Sequence, residues 1–164
     1  MSYKYQICGF NLLSQIKLPI LRKIDFEKPD FEIILRNDIK IANKTIEVLE
    51  GGDVLFNDLH QNIFKISYQK IYISIKDNKY NEAANSVLGV PLGYLLQNND
   101  FQVLHGSAVT KNNLGYSFIG KSGIGKSTIA LSLLNKGFKL LTEDLCVIKD
   151  MHIYNFSNWI KSSE

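Results

Sequence analysis

Cysteine, proline, histidine and tryptophan are scarce: the 164 residues contain two, three, three and one of them. Cys8 and Cys146 lie far apart and outside any metal-ligand spacing, so they read as free buried thiols. His60, His105 and His152 form no His-x-x-x-His pattern, which argues against a structural metal site. No apolar run approaches the ~18 residues that a membrane span needs. The first residues, Met-Ser-Tyr-Lys-Tyr-Gln-Ile-Cys, lack the apolar core and small-residue cleavage site of a signal peptide, and a cytoplasmic protein is expected. Strong charge is missing too. The net charge is +3, and residues 1–100 are balanced at 12 basic and 12 acidic side chains, against 7 and 4 in residues 101–164. An excess this small excludes electrostatic binding of nucleic acid. Lysines outnumber arginines 17 to 2, which reflects genomic base composition. There is no internal repeat and no low-complexity linker.

What is present is ordinary globular material, 45% hydrophobic and 21% charged, enough for one domain or two small lobes. Tyr3 to Phe10 alternates loosely and predicts a strand, followed by a loop through Pro19 and Pro29. Phe31–Arg36 is a second strand candidate, and Gly51-Gly52 marks a turn. The runs Asp53–Phe56, Ile63–Ser67 and Ile71–Lys76 are β-rich, and the last two show the period-2 pattern of a hairpin about Tyr68-Gln69. Residues 1–78 thus predict a small β-rich lobe. From Asn81 to Asn98 the apolar residues Ala83, Ala84, Val87, Leu88, Leu92, Leu95 and Leu96 recur at helical spacing. Residues 79–100 are therefore expected to form a connecting helix that Pro91 kinks or restarts. Beyond residue 101 the texture is α/β. Strands are expected at Gln102–Thr110, Gly115–Ile119, Phe138–Thr142 and Leu145–Lys149, with a hairpin continuing to Tyr154. A helix is expected at Ser127–Lys136, capped by Gly137.

The motif that carries chemistry is Gly120-Lys121-Ser122-Gly123-Ile124-Gly125-Lys126-Ser127, a match to G-x-x-x-x-G-K-[ST]. Four fixed positions would match by chance on the order of once in a hundred chains of this composition. The apolar strand before the loop and the amphipathic helix after it supply the strand–loop–helix order that a P-loop requires. Gly120, Gly123 and Gly125 let the backbone wrap around phosphate oxygens with its N–H groups inward. The helix directs the positive end of its dipole at the anion. Lys126 would neutralise the β/γ-phosphates of ATP, Ser127 would offer its hydroxyl to Mg²⁺, and Thr128 would support Ser127 or cap the helix.

Glu143-Asp144 closes the strand after that helix, at the sheet edge where the glycine loop also opens. These carboxylates suit a metal ion or a substrate hydroxyl, and equally an exposed acidic turn. His105 lies in Leu104-His105-Gly106-Ser107-Ala108-Val109, where a satisfied core histidine is the alternative to a functional one. His60 and His152 read as surface residues.

Taken together, Leu104-His105-Gly106, Gly120 through Ser127, Gly137 and Glu143-Asp144 resemble the kinase core of the HPr kinase/phosphorylase family, over Leu104 to Ile148. A weaker resemblance, in Gly9-Phe10, Leu18-Pro19 and the helix before Leu104, extends to HPr-kinase-like proteins of peptide and cell-surface biosynthesis. The N-terminal half does not resemble the regulatory lobe of true HPr kinases. The resemblance implies a fold of the HPr kinase/PEP carboxykinase-like type: an α/β P-loop kinase core at 101–164 preceded by the smaller β-rich lobe. It also implies Mg-ATP as cofactor and a protein or peptide serine as phosphoacceptor. By the same analogy residues 120–128 bind the nucleotide and Ser127 and Asp144 bind Mg²⁺. Asp144 and Glu143 share the base and metal roles, and His105 orients them or a phosphate.

Two departures qualify the analogy. Glu143-Asp144 stands where the family usually has Asp-Asp, and the family's core continues well beyond Glu164. Asn155–Glu164, with Trp159-Ile160-Lys161, looks like the start of that continuation, leaving a three- or four-stranded sheet with an open edge. An expression fragment, a shortened gene product and a chain completed by homo-oligomerisation remain the alternatives. An ATP-binding scaffold without phosphotransfer is the second functional reading, and a small-molecule kinase or NTPase the third.

Overall fold

Alternating apolar residues in the first hundred positions assemble one sheet with a single buried face. A computed structural model describes residues 1–41 and 45–154 as a mixed, sheet-rich α/β protein in two units, Met1–Asn99 and Asp100 onward. The expected continuation at residues 155–164 lies outside the described residues.

In the first unit, β1 (Tyr3–Ile7), β2 (Phe10–Ser14), β3 (Arg22–Lys23), β4 (Phe31–Leu35), β5 (Ile46–Val48), β6 (Val54–Asn57), β7 (Ile63–Ile66) and β8 (Lys70–Ser74) form an eight-stranded sheet. Its order is β3-β1-β2-β4-β8-β7-β6-β5. The pairs β2–β4 and β4–β8 are parallel, and the rest are antiparallel. The single strand expected over Tyr3–Phe10 is instead a hairpin that reverses at Cys8-Gly9. Both turn residues have positive φ, +48° and +85°, as a two-residue turn of the I′ kind demands. Cysteine carries no turn signal, so the reversal is hidden in the sequence. The strand β2 occupies part of what reads as loop.

The buried face carries Tyr5, Leu12, Phe31, Ile33, Phe64, Ile66, Ile71 and Ile73. Two helices, α1 (Tyr80–Val87) and α2 (Val90–Gln97), stand where one kinked or restarted helix is expected. Pro91 sits in the first turn of α2, where its missing N–H costs no helical bond. The helix α2 packs on β7 and β8 and buries Leu92, Leu95 and Leu96 completely. Each such side chain contributes about 1.5–3 kcal/mol. Tyr5, fully buried, accepts the Leu18 amide N–H at its hydroxyl at 2.8 Å and so anchors the loop after β2.

The second unit is built on one long strand, β9 (Gln102–Lys111). It pairs antiparallel with β10 (Leu114–Ile119), β11 (Lys139–Thr142) and β12 (Leu145–Lys149). A further strand, β13 (His152–Tyr154), forms the hairpin expected after Lys149. Among the described residues this sheet has five strands, the four expected strands together with the hairpin strand to Tyr154. Thr110 pairs with Gly115 of β10 and with Lys139 of β11, so these two strands flank β9 on opposite edges. Both run against β9 and therefore parallel to one another, and α3 (Lys126–Leu134) connects them. Consequently the loop after β10 and the loop after β11 open on the same side, beside Gly106, Ser107 and Ala108.

Among the described residues no helix is long and apolar enough to cross a membrane. Both cysteines are buried and unpaired with each other. Burial pushes the Cys8 thiol up to about 12. At pH 8 the native thiol should therefore react at least ~100-fold more slowly with an alkylating reagent than in the unfolded chain. The unfolded thiol ionises near its ordinary value and the native one only near 12. Stability contributed by this group is thus present at neutral pH and is lost as pH rises through that window. Thiol labelling read by mass spectrometry, with and without denaturant, checks the first point, and urea melts from pH 8 to 11 check the second.

Candidate functional site

A cavity of about 290 Å³ opens where the two loops meet β9. The strand contributes His105, Gly106 and Ser107, the glycine loop Ser122, Gly123 and Gly125, the helix Lys126, Ser127 and Thr128, and the second loop Asp144. The local sequence explains how each arrives. Gly123 and Gly125 have φ of +81° and +96°, a backbone that residues with a Cβ rarely adopt. No atom lies within 4 Å of where a Cβ would sit on either, so both leave open space in front of the loop. Gly125 is the N-cap of α3, whose first amide N–H groups have no acceptor within the helix.

Lys126 is only 9% exposed, yet its ammonium has partners. It donates to the carbonyl oxygens of Gly120 at 2.9 Å and Lys121 at 3.0 Å. These bonds fold the side chain back over its own loop and keep the charge at the cavity. Gly120, Lys121 and Ile124 shape the loop without lining the cavity, and Ile124 is 68% exposed.

The acidic pair divides. Asp144 takes a left-handed φ of +56° in the break between β11 and β12, and it lines the cavity. Its carbonyl accepts the Gly106 amide N–H at 3.0 Å, which ties the break to β9. The Thr142 hydroxyl donates to the Leu145 carbonyl at 2.8 Å and closes the turn. Glu143 is exposed and is not among the lining residues. His105 is exposed at the cavity, and His60 and His152 lie elsewhere on the surface.

Two lining residues fall outside the set read from the sequence, Gly106 and Ser107. Gly106 has a steric role: a Cβ there would come within 2.7 Å of the Phe118 carbonyl oxygen on β10. Ser107 is 1% exposed, and its hydroxyl lies 3.4 Å from that of Ser127. The available signal was strand periodicity, which puts residue 107 on the same face of β9 as His105.

The donor set bears on what could bind. Among the described residues no group of three or more His, Cys, Asp or Glu could form a metal cage. One carboxylate and one hydroxyl beside an anion-accepting helix end suit Mg²⁺, which keeps several waters and takes its other ligands from phosphate.

No family model matches the chain. A segment of 49 residues is 47% identical to the HPr kinase/phosphorylase of Chlorobium phaeovibrioides, covering 30% of this chain and 15% of that protein. The protein of the same name from Prosthecochloris aestuarii is 42% identical over 52 residues, or 32% and 15% of the two chains. That from Clostridium beijerinckii is 46% identical over 48 residues, 29% and 16%. The matched segment thus spans about 15% of the length of these curated relatives. The expected likeness to HPr kinase/phosphorylase is present, and it is partial.

Gly106→Ala should force β9 and β10 apart at a backbone contact that cannot swing away. The expected cost is about 1–3 kcal/mol by urea denaturation, whereas Gly115→Ala, whose nearest contact is the Cδ1 end of the Ile153 side chain and not backbone, should cost less.

Proposed function

We propose that the chain is an ATP-dependent protein or peptide serine kinase of the HPr-kinase-like type. The observation that carries this reading is the convergence on one cavity of Lys126, Ser127, the α3 N-terminus, Asp144 and His105. The local identity to HPr kinase/phosphorylases supports it.

In this reading the glycine-loop amides and the start of α3 hold the nucleotide's phosphates, and Lys126 exchanges its two loop carbonyls for phosphate oxygens. Ser127 and Asp144 would hold Mg²⁺, which when bound supplies charge neutralisation at the β- and γ-phosphates. Asp144, on the facing loop, accepts the proton of the attacking serine hydroxyl, a task for a positioned carboxylate. His105 orients that carboxylate or a phosphate oxygen. Transfer then depends mainly on charge complementarity to the γ-phosphoryl group. Glu143 acts, if at all, from outside the cavity lining, which leaves Asp144 the principal carboxylate.

An ATP-binding scaffold without transfer is the second reading, favoured by Glu143, which stands exposed and outside the cavity lining and leaves one carboxylate there. Calorimetric titration with Mg-ATP and a transfer assay with labelled ATP and serine peptides separate the two. Lys126→Ala should weaken Mg-ATP binding at least ~100-fold, as the loss of charge-assisted bonds to phosphate predicts. Asp144→Asn should lower transfer by about 100-fold or more while ATP without Mg²⁺ binds within a few-fold of wild type. Binding without any transfer by the wild type would leave the scaffold, and absence of binding by the folded wild type would overturn both.

A further inference from the structure

The hydroxyl pair between β9 and α3 has a direction that the nucleotide reading does not assign. Ser107 is 1% exposed, on the strand beneath the first turn of α3, with Gly106 before it and Ala108 after it. Its hydroxyl oxygen lies 3.4 Å from that of Ser127, and among the described residues neither hydroxyl has another hydrogen-bond partner. Both residues line the cavity. The separation is long for an O–H···O bond, whose usual range is about 2.5–3.0 Å. The pair is therefore slack in this structure and has room to tighten.

A serine hydroxyl that gives a lone pair to a divalent cation still has one hydrogen to place. An acceptor on the far side of the oxygen fixes the rotor so that the lone pair faces the cation. For Ser127 the acceptor at hand is the buried oxygen of Ser107, which has no competing donor. Its backbone is fixed by pairing of Ser107 with Phe118. We propose that Ser107 is a positioning residue, receiving the hydrogen of the Ser127 hydroxyl and aiming that hydroxyl at the divalent cation that enters with the nucleotide. This rests on the nucleotide reading above and adds to it a role for a residue that need not touch the nucleotide. A buried serine that merely fills space under α3 would act differently, because its loss would disturb the loop whether or not a cation is present.

The test is calorimetry on the full chain with ATP in excess Mg²⁺ and with ATP in EDTA. The proteins compared are wild type, Ser107→Ala, Ser107→Cys, Ser127→Ala and the Ser107→Ala/Ser127→Ala double variant, with a melting temperature recorded for each. Ser107→Ala should weaken Mg-ATP binding by about 5- to 10-fold, the upper figure equal to about 1.4 kcal/mol and the worth of one hydrogen bond. Binding of ATP in EDTA should stay within about twofold, and in the Ser127→Ala background the same change should have no further effect. Ser107→Cys, close in size but a weak acceptor, should show the same cation-selective loss and decides the matter if the alanine variant does not fold. Equal losses with and without Mg²⁺, no loss, or losses that add to those of Ser127→Ala would each overturn the role of Ser107. A folded wild type that binds ATP in neither condition would overturn the nucleotide reading itself, and with it this one.

Discussion

At Gly106 the backbone of β9 passes so close to β10 that a methyl group would collide with the Phe118 carbonyl. The amide of the same residue donates to the carbonyl of Asp144. One glycine thus joins β9 to β10 and to the break between β11 and β12, at the point where the loops diverge. The glycine loop leaves β10 on one flank and the acidic break follows β11 on the other. If β9 and β10 stood a methyl's width further apart, the 290 Å³ cavity between the loops would change shape at its base. The separation of Ser107 from Ser127 would change with it.

The charges in this cavity are arranged around a backbone that holds them with little help from side chains. Lys126 is almost buried, and a buried ammonium without partners would be costly; two carbonyls of its own loop remove that cost. Those carbonyls are neutral acceptors, weaker partners for an ammonium than oxygens that carry formal charge. By contrast, the ion pairs of the first unit, such as Arg36–Asp38 and Lys4–Asp25, lie at the surface and hold little energy. Asp38 is nevertheless pulled down to about 2 by the Arg36 guanidinium hydrogen-bonded to it.

Legibility in the sequence followed the range of the interactions. The glycine loop is a local device, in which eight consecutive residues set their own conformation, and its spacing could be read directly. The strands β7 and β8 were legible because period-2 burial is written into each segment, and β9 because it is an apolar run between polar turns. The hairpin at Cys8-Gly9 was not, because its left-handed cysteine is a choice made by packing. Nor could the acidic pair be resolved: Glu143 and Asp144 differ by one methylene, and the turn in which Asp144 adopts a positive φ decides which of them lines the cavity. In the sequence, Gly106 and Ser107 imply only close backbone packing near the loop edge; the contact of Ser107 with Ser127 exists only once α3 lies above it.

The sequence alone determined the glycine-loop pattern of residues 120–127, the alternation of strands, the helical stretch around Pro91 and the likeness to HPr kinase/phosphorylases. Each of these depends on neighbours within a few residues or on identity over one short segment. Only the tertiary structure decided that β10 and β11 flank β9 in parallel, that Asp144 and not Glu143 lines the cavity, and that Ser107 lies under Ser127. Those outcomes depend on residues up to nearly forty positions apart meeting across the sheet or beneath α3, and such contacts leave no periodicity in the chain to read.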